Sequence, residues 1–336
     1  MLSVFSYSLD AVMPILLLIL CGYVARRTGF LTEQTAAQIN RFNFRFGYFA
    51  LMFYNVYGVD VKKALPLMLL GITLGIIILL TLIGWAASAF LTKERARRGV
   101  LIQSAFRSNY AIIGMMLAET LAGPEGATLV AMFQLPAVIY FNSVSVLAMS
   151  LYSDYDQKPS VRSILHTMVT NPLIQGLLTG ALVLVIRMHI PERADGSLVF
   201  SIREDLPWVY TTFANLSRMC TPLALIVLGA TLRIGQARDF MKELVSGVFM
   251  RLIMAPAVGF TILIAAERAG LITLTPVEVS MLVSILGSPL ATAAAIMARE
   301  MGADKDLAAQ LVVWTSILSM FTLFVLVAIL RGAGLL

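Results

Sequence analysis

Two interruptions in otherwise apolar sequence carry the residues best suited to chemistry. One is Gln103-Ser104-Ala105-Phe106-Arg107-Ser108-Asn109-Tyr110-Ala111-Ile112-Ile113-Gly114. The other is Leu282-Val283-Ser284-Ile285-Leu286-Gly287-Ser288-Pro289-Leu290-Ala291. Each lies in the middle of an apolar run long enough to cross a membrane, and each stops one helix and starts another. Ser288-Pro289 reads as an N-cap followed by proline at the first helical position, where its missing N–H costs nothing. Ser108 and Asn109 offer two capping side chains at the matching place. Backbone that leaves the helix at membrane depth must line a cavity or be buried in protein. Broken helices of this kind mark transport sites.

Arg107 is the strongest chemical candidate. An arginine at mid-membrane costs at least about 3 kcal/mol on insertion scales, so it faces a polar cavity or a partner. Its place beside free helix N-termini, with their unpaired N–H groups and partial positive charge, suits a carboxylate. Its guanidinium adds bidentate geometry. The competing reading is that Arg107 pairs with a carbonyl or an acid such as Glu119 and only holds the chain together. Ser108, Asn109 and Ser288 can cap, contact substrate, or do both, whereas Gly287 and Pro289 make the break. Asn43 and Asn215 either line a pocket or hydrogen-bond between helices. Arg218 and Arg251, deep in later apolar runs, are candidates for an anion pathway or for internal pairing and snorkelling. Arg41 and Arg45 lie nearer a membrane face and read as snorkelling.

Other chemistries find little to work with. Neither break carries an acid, so Na⁺ or H⁺ has no visible ligand there, and Glu119 is a weak alternative carrier. His166 and His189 are too isolated for a metal site. A phosphate-binding loop and a nucleophile–base arrangement are both missing, which argues against a pump or enzyme and against any cofactor.

The elements that must hold these residues follow from composition. Of 336 residues, 59% are hydrophobic and 13% charged, with mean hydropathy +0.86. Soluble domains carry about 25% charge, so the class is all-α integral membrane protein embedded in a lipid bilayer. Ten spans are expected at about 11–30, 38–57, 65–91, 99–121, 125–152, 165–187, 206–232, 241–266, 276–299 and 306–331. The first run has no basic residue before it and Arg26-Arg27 after it, the reverse of a cleaved leader. Cys21 and Cys220 read as small buried hydrophobes.

Loop charge sets orientation. Arg26, Arg27, Lys93, Arg95, Arg97, Arg98, Lys158, Arg162, Arg233, Arg238, Lys242, Arg299 and Lys305 fall on one side. Lys62, Lys63, Arg187, Arg193, Arg203, Arg268 and Arg331 fall on the other. The richer set belongs in the cytoplasm, which places both termini outside. That placement also explains the net charge of +6 without a nucleic-acid partner.

The two halves repeat. Phe42-Asn43-Phe44 aligns with Ala214-Asn215-Leu216, Ala50-Leu51 with Pro222-Leu223, and Met13-Pro14 with Asn171-Pro172. Five spans followed by five similar ones give an inverted repeat, since five is odd. The organisation is 1–152, a cytoplasmic connection at 153–164, and 165–336.

Asn43 with the aromatic-rich run after it, Phe106 to Gly114, Asn171-Pro172, and Thr221-Pro222-Leu223-Ala224-Leu225-Ile226-Val227-Leu228-Gly229-Ala230 together resemble the auxin efflux carrier family. They are most similar to its short bacterial branch of malonate-transporter-like permeases. The resemblance implies ten transmembrane helices in two inverted five-helix repeats, with crossed, broken helices 4 and 9. Spans 1, 2, 6 and 7 would form a scaffold, and spans 3–5 and 8–10 a moving transport unit. It further implies a carrier for a small organic anion in a bacterial inner membrane, with homodimer formation open. An anion channel or membrane sensor is the alternative. Two departures from the family pattern stand out: Ala50 where proline is usual, and Met115-Met116 where Leu-Pro is common.

Overall fold

The computed structural model describes residues 2–57, 67–152, 162, 166, 169–191, 199–232 and 238–336. Apart from Arg162, the expected connection 153–164 lies outside the described residues, as do Lys62, Lys63, Arg193 and Arg233. The described elements are helices: α1 Leu2–Arg27, α2 Glu33–Phe42, α3 Tyr48–Tyr57, α4 Leu67–Leu91, α5 Arg95–Phe106, α6 Met115–Tyr152, α7 Pro172–Met188, α8 Ile202–Asp205, α9 Pro207–Thr231, α10 Met241–Phe249, α11 Ala255–Arg268, α12 Pro276–Gly287, α13 Ala293–Glu300 and α14 Lys305–Gly332. Three π-helical turns, Asn43–Gly47, Tyr110–Gly114 and Met250–Met254, join α2 to α3, lead into α6, and join α10 to α11. Such turns are frequent at functional sites.

Local chemistry explains the boundaries. Asn171 Oδ1 accepts from Leu173 N at 3.0 Å, with Pro172 in the first turn of α7. Thr275 and Glu278 form a reciprocal capping box at the start of α12, again with proline in the first turn. Asp304 accepts from the N–H groups of Asp306 and Leu307 to open α14. Thr32 caps α2, so this helix begins at Glu33 rather than at 38. The irregularity of that span sits at Asn43–Gly47, upstream of Ala50. Between the fourth and fifth expected spans the backbone leaves the helix at Ala122 (φ −138°) and Gly123 (φ +64°). Only the second conformation demands glycine.

Leu67–Leu91, Pro207–Thr231, Arg238–Arg268 and Lys305–Gly332 are, among the described residues, long and apolar enough to cross a membrane as single stretches. The broken passages contribute shorter pieces such as Pro276–Gly287. The protein is therefore an all-helical membrane protein. α1 packs along α9 and α3 along α7. Glycine permits both contacts: a Cβ on Gly22 would strike the Ile226 carbonyl, and one on Gly176 the Phe49 carbonyl. Cys220 is buried as expected, but Cys21 is exposed.

Candidate functional site

α5 ends at Phe106 because Arg107 turns extended, at φ −84° and ψ 94°. α12 ends at Gly287 because Ser288 does the same, at φ −63° and ψ 149°. The two extended segments then meet antiparallel at Ser108 and Leu290. Asn109 N donates to Pro289 O at 2.8 Å, and Ala291 N to Arg107 O at 3.2 Å. Leu290 N donates to Thr315 Oγ1 of α14 at 3.1 Å. Part of the backbone freed by each break is thus satisfied by the other break and part by α14, which is what burial away from water demands.

This arrangement corrects the capping expectation. Ser288 does not open a helix with Pro289 behind it. It closes α12, donating its hydroxyl to Ser284 O at 2.5 Å, and α13 begins only at Ala293. Asn109 stands at the N-terminal boundary of the Tyr110–Gly114 turn without a side-chain capping bond. Gly287, Ser288 and Pro289 therefore build the crossing and do not line the cavity beside it.

That cavity, of about 200 Å³, is lined by Tyr48, Leu51, Met52 and Asn55 of α3, Arg107 to Ala111, Gln134, Val138, Phe141 and Asn142 of α6, Thr221 of α9, and Ala291 to Ala293. The first residues of both second half-helices face it. Arg107 supplies its one formal charge, and the lining contains no acid. The side chain is buried to 3% exposure. Nη2 donates to Asn142 Oδ1 at 2.9 Å, and Nη1 to Gln103 Oε1 at 3.3 Å and Met297 Sδ at 3.3 Å. All three partners are neutral, so the guanidinium is aimed but not neutralised. Glu119, the acid of the competing reading, is exposed and twelve residues along the chain.

Asn142 is itself held, since its Nδ2 donates to Val138 O at 2.9 Å. Gln103 is fixed by donating to Ala294 O at 3.2 Å across the crossing. Two polar atoms at the cavity are left over: Ser108 Oγ and Asn109 Nδ2 are buried with no partner. A buried donor without an acceptor costs about 1–3 kcal/mol.

Four expected site residues lie elsewhere. Asn43 is fully buried and donates to Cys220 O at 2.9 Å, the interhelical bond of the simpler reading. Asn215 and Arg218 are exposed on α9 and do not line the cavity. Arg251 is fully buried on the far side of the crossing, bonded to backbone carbonyls. Conversely, Asn55, Gln134 and Asn142 were missed. Gln134 and Asn142 had a legible signal, since both are amides inside the apolar fifth span. A second cavity, about 490 Å³ between α11 and α14, is lined by apolar residues and two threonines and offers no charged group. Among the described residues no cluster of His, Cys, Asp or Glu could hold a metal.

Comparison with known proteins agrees with this architecture. The chain is 24% identical over 326 residues to an uncharacterized transporter from Methanothermobacter thermautotrophicus, covering 95% of this chain and 97% of that one. Its fold is similar to the solved structure of the sodium proton antiporter MjNhaP1 from Methanocaldococcus jannaschii. There the TM-score is 0.61 at 12% identity, over 97% of both chains. The family model described as membrane transport protein matches residues 7–327, and the chain accordingly belongs to that family, the one the auxin efflux carriers exemplify, as a transporter and not an enzyme.

Proposed function

We propose that the protein carries a small organic anion, a mono- or dicarboxylate, across the membrane by alternating access. One observation carries this reading: Arg107 is buried at the crossing with only neutral partners, beside two helix N-termini and two unpartnered polar side chains. A carboxylate would supply the missing negative charge and accept from Asn109 Nδ2 and Ser108 Oγ together. Charge-assisted bonds of this kind are about twice as strong as neutral ones.

In this reading the chain spans the membrane ten times as two inverted five-span repeats. The contacts of α1 with α9 and of α3 with α7 support it, because an inverted repeat exchanges spans 1 and 6 and spans 2 and 7, turning one contact into the other. Spans 1, 2, 6 and 7 then form the scaffold. The site lies where α3 and α9 of the scaffold face the crossing of the moving unit. A bacterial plasma membrane with both termini outside fits the bias in loop charge. A cysteine placed within 153–164 should be labelled only from the cytoplasmic side, and labelling from outside in intact cells would reverse the topology.

Uptake into proteoliposomes, screened across mono- and dicarboxylates, tests the function. Saturable uptake with counter-exchange is the expected result. Uptake that does not saturate and shows no exchange would favour an anion channel, the second reading for a polar cavity of this kind.

A further inference from the structure

The crossing has a second face. α5 and α12 both end at it, so their last carbonyls lack partners within their own helices and carry the negative ends of two helix dipoles. A side chain from a third element reaches both. Arg251, in the π-helical turn Met250–Met254, is fully buried. It donates from Nη1 to Ala105 O at 3.4 Å, and from Nη2 to Ile285 O at 3.5 Å and Leu286 O at 2.5 Å. No carboxylate pairs with it among the described residues, and its Nε–H has no partner. A buried charge without a counter-ion is expensive. The converging carbonyls of two helix ends are the groups that offset it.

We propose that the carbonyls of Ala105, Ile285 and Leu286 form a cation site whose permanent occupant is the guanidinium of Arg251. A tethered cation there completes the charge of the crossing, so no inorganic cation is needed to bring two negative helix ends together. Arg251 thus ties the end of α5 to the end of α12. One consequence rests on the proposed carboxylate transport: that transport should not depend on Na⁺. The cation site itself does not rest on that reading.

Thermal unfolding of the full-length protein in detergent tests the site. The wild-type Tm should be the same in sodium chloride and in choline chloride. Arg251→Lys, which keeps the charge, should stay close to wild type, whereas Arg251→Met, similar in length but neutral, should melt several degrees lower. In Arg251→Ala the vacated space should admit guanidinium itself. Low-millimolar guanidinium chloride should then raise its Tm, while equal concentrations of choline chloride or urea should not. Arg251→Met melting with Arg251→Lys would overturn the proposal, as would Arg251→Ala gaining nothing specific from guanidinium. If Arg251→Ala does not fold, the lysine–methionine comparison decides alone. Because every arm reads stability, a failure to find carboxylate uptake leaves this test intact.

Discussion

Arg107 and Arg251 are both buried arginines at one chain crossing, at 3% and 0% exposure, yet they stand at opposite poles of it. Arg251 lies where two helices end, and its Nη1 and Nη2 donate to three carbonyls there, although its Nε–H has no partner. Arg107 lies where two helices begin, so its charge adds to the dipoles instead of cancelling them. The first arrangement is closed, and the second is short of one negative charge. Burial and charge alone do not distinguish a binding arginine from a structural one. The end of the helix that it faces does.

The comparison can be broken by substitution. The largest effect on folding is expected from Arg251→Met, which strands three buried carbonyls at two helix ends. A loss of about 3 kcal/mol is anticipated, read as a fall in Tm, with ligand affinity retained in the surviving protein. Asn142→Ala acts at the other pole. It removes the acceptor of Arg107 Nη2 and lets the guanidinium swing, so anion affinity should fall by roughly tenfold, or about 1.4 kcal/mol, with little change in Tm.

Smaller effects sharpen the picture. Asn43→Ala deletes an interhelical bond to Cys220 O of a kind worth roughly 1 kcal/mol in membranes. It should lower Tm slightly and leave affinity alone, and weakened binding would return Asn43 to the site. Pro289→Ala frees the unfolded chain and should cost about 0.4–1 kcal/mol of stability. Uptake should slow while membrane insertion stays normal. An unchanged rate would mean that the break plays no part in transport.

Much of this was legible before any coordinates. The two breaks were visible as polar residues and proline inside apolar runs, and Arg107 as a charge too costly to leave in lipid. The way the breaks are built was not legible. Ser288-Pro289 obeys the local rule for opening a helix, yet tertiary pairing of Asn109 N with Pro289 O and of Ala291 N with Arg107 O holds the segment extended until Ala293. Local capping chemistry was overruled by backbone groups that only the fold brings together. Arg218 and Arg251 looked alike in sequence, each about ten residues into an apolar run. Which way each side chain points depends on helix rotation, which a mostly apolar span encodes weakly. Asn55 was missed for the same reason: one amide near a helix end has no pattern until the neighbouring helices are placed.

The central claim is that Arg107 binds a carboxylate, and paired measurements on one variant test it most directly. Arg107→Gln should be compared with wild type by calorimetric titration of the best anion from the uptake screen, alongside thermal unfolding. Losing a charge-assisted bond is worth about 1.5–3 kcal/mol, or roughly a 10- to 150-fold weakening. Tm should change little, since Gln103 and Asn142 can still pair with the new amide, and Arg107→Lys should bind with intermediate affinity. Wild-type affinity in an Arg107→Gln protein that has lost stability would contradict the account, leaving Arg107 as a strut of the crossing.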